Sequence, residues 1–168
     1  MQVAADYLLS LINDILQMSK IEDGNVPLTQ EIIDFAELTQ DIIDIIEQRA
    51  KERGIQMQFS TKKDIRYPFV YGSPVHLRQI FLNIYGNCIK YNRISGSIMT
   101  VSDYTETDDG VVMYEWTITD TGIGMSKEYK DHIFEPFSQE RQYIGSAHHG
   151  IGLGMSIVKG LIEKMGGS

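Results

Sequence analysis

The chain has 168 residues, a net charge of −8 and a pI near 4.9, and 42% of its residues are hydrophobic. That length suits one domain with an appendage, and that hydrophobic share is enough for a core, which excludes a disordered chain. The acidic balance argues against non-specific DNA or RNA binding, which needs Lys and Arg to displace counterions, but leaves room for a nucleotide in a local positive pocket. The single cysteine, Cys88, excludes an internal disulfide, and no Cys/His cluster has zinc spacing. No apolar run approaches the roughly 18 residues of a membrane span, and the N-terminus has no signal-peptide pattern. The chain as given reads as soluble.

Residues 5–22 read as one amphipathic helix. Ala5, Leu8, Ile12, Ile15 and Ser19 step by three and four, and Leu9, Leu11, Leu16 and Met18 widen the stripe. A helix this apolar needs a partner, either a second helix or chain or its own domain. Gly24, Asn25 and Pro27 stop it and mark the one domain boundary, between the long helix in 1–24 and a mixed domain over 25–168.

A strand is expected at 28–34, then a helix at 35–53 with Leu38, Ile42, Ile45, Ile46 and Arg49 at helical spacing and Gly54 as its stop. Ile55, Met57 and Phe59 alternate with polar residues, the period of a half-buried strand. Residues 69–71 suggest a short strand. Ser73 then caps a helix with Pro74 at its first position, running to about Tyr91. A hairpin follows, 97–105 and 111–119 around Asp108, Asp109 and Gly110. A short helix at 126–132, an irregular stretch to about 149 and a last helix at 152–165 complete the chain. This pattern predicts an α+β fold, a two-layer sandwich with helices on one face of a mixed sheet.

Four segments carry candidate chemistry. Asn83, Asn87 and Lys90 stand at i, i+4 and i+7 and share one helical face. Amide oxygens beside an ammonium suit a magnesium–triphosphate, although a solvated polar face explains them too. Asp120, Gly122 and Gly124 form a D-x-G-x-G after a strand. The carboxylate can accept from an exocyclic amine, and the glycines let backbone approach a flat ring, or simply make a turn. Phe134 and Phe137 bracket Pro136, a common loop anchor. Gly150, Gly152 and Gly154 open the last helix, whose unpaired N–H groups suit phosphate. There is no preceding strand for a dinucleotide fingerprint and no P-loop.

In this order the four segments resemble the N, G1, F and G2 boxes of sensor histidine kinases. These kinases belong to the Bergerat-type ATPase superfamily, together with gyrase and a heat-shock chaperone. Residues 5–22, ending Leu16-Gln17-Met18-Ser19-Lys20-Ile21-Glu22, resemble the second helix of the dimerisation and phosphoacceptor hairpin, so that 1–24 would be part of that hairpin. The resemblance spans nearly the whole chain. It implies a Bergerat fold and ATP and Mg²⁺ as ligands. Asn87 and Asn83 would serve the metal and Lys90 the phosphates. Tyr91 would lie against adenine, Asp120 would read its amino group, and Gly122 and Gly124 would form the floor. Phe134 and Phe137 would anchor a lid at about 138–149. Gly150, Gly152 and Gly154 would hinge the lid and bind phosphate, with Leu153 packed beside them.

In the hydrolytic branch the position of Asn83 resembles a glutamate base toward water. An amide takes no proton near neutral pH, so Asn83 favours transfer to an external nucleophile, a histidine nitrogen. None of His76, His132, His148 and His149 has the acceptor's context. The resemblance therefore implies a protein-histidine kinase whose acceptor lies outside this chain. It also implies a homodimer through the first helix, a response-regulator receiver domain as partner and a membrane-bound bacterial parent. Family members continue past the last Gly-Gly with two more strands, so a C-terminally shortened domain is expected. Two alternatives remain: an ATP-hydrolysing relative, or a non-catalytic dimerisation or docking module. The Ser-Gln-Glu-Arg stretch after Phe137 resembles hybrid kinases.

Overall fold

A computed structural model describes residues 2–62, 66–108, 111–140 and 151–168, with backbone alone at 2–4, 6, 7 and 10. The chain forms two compact units. One comprises residues 1–33, 71–84 and 125–168, and the other residues 34–70 and 85–124.

The first unit is built on α1 (Gln2–Glu22) and α5 (Gly154–Lys164). Ile21 enters a core with Ile80, Leu153, Ile157, Val158 and Leu161, and Met18 packs against its edge. Gly160 makes this close approach possible, because a Cβ there would lie 2.5 Å from the Ile21 side chain. Gln17 exchanges amide hydrogen bonds with Gln79. The last turns of α1 are thus packed within this unit. Its upper stripe is not: Leu8, Leu9, Ile12, Ile15 and Leu16 are all exposed. Gly24 ends the helix at φ +73°, the left-handed geometry that glycine tolerates.

The second unit pairs α2 (Phe35–Glu52) with a three-stranded mixed sheet. Asp34 caps α2, accepting from the backbone N–H groups of Ala36 and Glu37. Leu38, Ile42, Ile46 and Ala50, one residue per turn, are its buried stripe. Ile45, expected on that stripe, is 37% exposed at its margin. Gly54 turns the chain at φ +67° into β2 (Gln56–Thr61). β2 pairs in parallel with β4 (Ser97–Glu106), and β4 pairs antiparallel with β5 (Val112–Asp120). The parallel pair needs a long crossover, which residues 62–96 supply. Phe35 stacks on Tyr114 and meets Trp116 at a tilt, both on β5, with centroids at 5.2 and 5.0 Å.

A separate two-stranded sheet joins β1 (Glu31–Asp34) to β3 (Phe69–Gly72). β1 is shorter than its expected span because Leu28 instead closes a local turn, its N–H donating to the Val26 carbonyl. The helix α3 (Pro74–Lys90) contributes residues to both units. At its start, the Ser73 hydroxyl meets the His76 ring at 2.6 Å and Thr29 at 3.0 Å. At its end, the Arg53 guanidinium donates to the carbonyls of Ile89 and Lys90 at 3.3 and 3.2 Å. A cation there complements the helix dipole. The short helix α4 (Lys127–Lys130) is capped by Ser126. The expected hairpin tip at Asp109 and Gly110 lies outside the described residues, as do Gly150, His148, His149 and most of the expected lid.

Candidate nucleotide-binding site

In the second unit, the end of α3 and the end of β5 are tied together. Ile123 N–H donates to the Tyr91 carbonyl at 3.1 Å. The Thr121 hydroxyl accepts from Ser97 N–H at 2.8 Å and donates to Asn92 Oδ1 at 3.1 Å. The Asn92 amide donates in turn to the Ser97 carbonyl at 3.2 Å. This brings Asn87, Lys90 and Tyr91 on one segment into one unit with Asp120, Gly122 and Gly124 on the other.

Asp120 closes β5, opposite the fully buried Ile98. Its Oδ1 accepts from Gly122 N–H at 2.7 Å, while the residue as a whole stays exposed. Gly122 has no substitute on steric grounds. A Cβ there would lie 2.6 Å from Asp120 Oδ1 and 2.7 Å from the Tyr91 carbonyl oxygen. Gly124 sits at φ +70° with open space beside it, so its requirement is conformational. The Lys90 ammonium lies 4.8 Å from the centroid of the Tyr91 ring, a cation–π contact that holds the charge at the helix end. Burial first, and then the neighbouring Asp120 carboxylate, push the Cys88 thiol up to about 12.

In the first unit, the Asn83 amide donates to the Gly154 carbonyl at 3.4 Å, leaving Oδ1 as a hard oxygen donor. The N-terminus of α5 begins at Gly154 after Leu153, which supplies no side-chain cap. Its first N–H groups therefore keep their donor capacity. Leu153 is buried in the core, which fixes the helix start. Gly152 sits at φ +79°, and a Cβ there would lie 2.3 Å from the Ser138 carbonyl oxygen. The F segment is held mainly through its backbone at this point. Phe137 adopts φ +62°, a strained value for an aromatic residue, and its ring is 61% exposed. Phe134 is 45% exposed and lies 5.9 Å from the Lys159 ammonium.

Several positioning residues escaped the reading by motif. Tyr129 donates its hydroxyl to the Ser138 carbonyl at 3.2 Å, and Glu140 accepts from Ser126 N–H at 3.0 Å. Arg53, Asn92 and Thr121 belong with them. Their roles come from contacts, not from the residue types that the motifs fix. Asn92, next to the N segment, carried the nearest available signal. Among the described residues no three His, Cys, Asp or Glu side chains cluster as a metal site. No described helix is long and apolar enough to cross a membrane.

Residues 72–168 match the family of histidine kinase-, DNA gyrase B- and HSP90-like ATPases. The sensor histidine kinase GacS of Pseudomonas protegens is 35% identical over 164 residues, 98% of this chain and 18% of that protein. The hybrid signal transduction protein dokA of Dictyostelium discoideum is 32% identical over 165 residues, 98% of this chain and 10% of that protein. The chain thus spans less than a quarter of the length of these relatives. The crystal structure of full-length ShkA in complex with AMPPNP superposes with a TM-score of 0.78 at 30% identity, over 98% of this chain and 32% of that one. The chain therefore belongs to the family of histidine kinase-, DNA gyrase B- and HSP90-like ATPases.

Proposed function

We propose that this chain is the ATP-binding catalytic segment of a sensor histidine kinase, passing the γ-phosphoryl of Mg-ATP to a histidine on another segment or chain. The observation that carries the reading is Asp120. It is an exposed carboxylate at a strand end, oriented by Gly122 N–H, and a side chain at Gly122 would collide with it. A carboxylate so held accepts from the exocyclic amine of adenine. Tyr91 offers a ring face and Lys90 a positive charge.

The first unit carries groups suited to phosphate. Gly152 and Gly154 lie at the start of α5, whose dipole favours an anion. Asn83 and Asn87 have amide oxygens suited to Mg²⁺, a hard cation that keeps most of its shell as phosphate and water. Mg²⁺, when bound, offsets phosphate charge. Asn83 cannot act as a base toward water, so positioning of an external nucleophile decides the outcome.

The relatives' names support a receiver domain as the next partner, since dokA is named a hybrid signal transduction protein. The exposed apolar stripe of α1, with Leu8, Ile12 and Ile15, supports a homodimer through that helix. The test is to mix the purified chain with a separately supplied phosphoacceptor hairpin and look for ATP-dependent phosphohistidine. The reading expects label on the hairpin with the unmodified chain and none with Asp120→Ala. ATP hydrolysis without transfer would instead place the chain in the hydrolytic branch.

A further inference from the structure

Asn92 and Thr121 stand immediately after the two residues assigned to the base, Tyr91 with its ring face and Asp120 with its carboxylate. Their side chains meet each other. The Thr121 hydroxyl accepts from Ser97 N–H at 2.8 Å, which leaves its own proton for Asn92 Oδ1 at 3.1 Å, with the Ser97 carbonyl a longer alternative at 3.4 Å. Asn92 Oδ1 also accepts from Arg93 N–H at 3.0 Å, and the Asn92 amide nitrogen donates to the Ser97 carbonyl at 3.2 Å. Oxygen against two donors and nitrogen against a carbonyl is the amide orientation that satisfies all three neighbours. The pair is packed as well as bonded. Gly96 is buried against both, and a Cβ there would lie 2.2 Å from Asn92 Oδ1 and 2.6 Å from Thr121 Oγ1. Ser95, beside it, holds φ +56°, a value that persists where the surroundings fix it. The same two segments are joined again through the Tyr91 carbonyl, which accepts from Ile123 N–H at 3.1 Å and lies against Gly122.

We propose that Asn92 and Thr121 are specificity-determining positioning residues: their hydrogen bond fixes the gap between Tyr91 and Asp120, and with it the purine base that the site accepts. The proposal rests on the nucleotide reading and deepens it. Neither side chain needs to touch the base. With the gap fixed, the Asp120 carboxylate meets the 6-amino group of adenine as an acceptor and repels the 6-oxo group of hypoxanthine. With the pair broken, the strand end that carries Asp120 shifts against Tyr91, the carboxylate turns toward water and the discrimination weakens.

The test compares Kd values for non-hydrolysable adenosine and inosine triphosphate analogues with Mg²⁺. Thr121→Val keeps the shape and removes the hydroxyl. It should reduce the preference for the adenosine analogue by roughly three- to tenfold, the scale of one hydrogen bond. Asn92→Asp sets an oxygen against the Ser97 carbonyl and should do the same, whereas Thr121→Ser, which keeps the hydroxyl, should retain the native preference. Folded variants that lose affinity for both analogues equally, or for neither, leave the ratio unchanged and overturn the proposal while the nucleotide reading stands. Amide hydrogen exchange on the unmodified chain supplies a second readout that needs no substitution. Ser97 N–H exchanges only when its bond to Thr121 opens, so at equal saturation the adenosine analogue should slow that exchange about threefold more than the inosine analogue. Equal slowing by both analogues, or none, overturns the proposal even where the variants fail to fold. An unmodified chain that binds neither analogue overturns the nucleotide reading, and the positioning role falls with it.

Discussion

Single residues set the limits of this site. Gly122→Ala would drive a methyl group into the Tyr91 carbonyl and the Asp120 carboxylate, and neither backbone nor strand end can yield cheaply. Overpacking of this kind costs about 1–3 kcal/mol. A denaturant titration should show a lower midpoint with an unchanged slope, and nucleotide binding should be lost as well. Two histidines should titrate in opposite directions. Hydrogen bonding and charge from Glu135, 2.9 Å away, raise the pKa of His132 above its ordinary 6.5. A raised value favours the folded state below the unfolded pKa, and the benefit fades as pH rises through the folded one. Burial lowers the pKa of His76, so its neutral form suits the fold above 6.5, and protonation on acidification works against it. Ring-proton NMR titrations should separate the two, and Glu135→Gln should bring His132 back toward its ordinary value while leaving His76 unmoved.

Among the elements, α1 and α5 form the contact most open to a sharp test. A glycine inside a helix normally costs about 1 kcal/mol against alanine, so Gly160→Ala should stabilise on propensity alone. The clash at 2.5 Å with the buried Ile21 decides otherwise. Gly160→Ala should destabilise in the native background and become neutral or stabilising by about 1 kcal/mol once Ile21→Ala makes room. A double-mutant cycle by thermal unfolding measures the coupling, and additive effects would remove Ile21 as the cause. At the other end of α3, Arg53→Ala removes a cation from the last carbonyls. It should cost about 0.3–1 kcal/mol, less at high salt, in chemical denaturation.

These contacts also show how far the sequence carried. The helical stripe of α2, the glycine stops at Gly24 and Gly54 and the alternation in β2 follow local rules, and the structure has them. The role of Gly160 depends on what lies across the chain, and no local pattern encodes that. Phe69 and Tyr71 sit in a strand as expected but are 62% and 77% exposed, because alternation shows that one face is apolar but not what covers it. At the candidate site, Asp120, Gly122 and Asn83 could be proposed from the sequence because chemistry constrains their type. The Thr121–Asn92 network and the Tyr129–Ser138 bond could not, since each joins residues whose types alone suggest nothing.

At the scale of the whole molecule, the matched family, the fold shared with a kinase solved with AMPPNP and the built Asp120 turn converge on nucleotide binding. His132 is exposed and paired with Glu135, and His76 is tied to Ser73, so neither is placed as a nucleophile toward a phosphoryl group. The central claim is that Asp120 gives this chain an adenine-nucleotide site. Calorimetric titration of the purified chain with AMPPNP and Mg²⁺ tests it most directly. The account predicts saturable binding with one site per chain that Asp120→Ala abolishes while the fold survives. Binding that is unaffected by Asp120→Ala, or no binding by the unmodified chain, would contradict it.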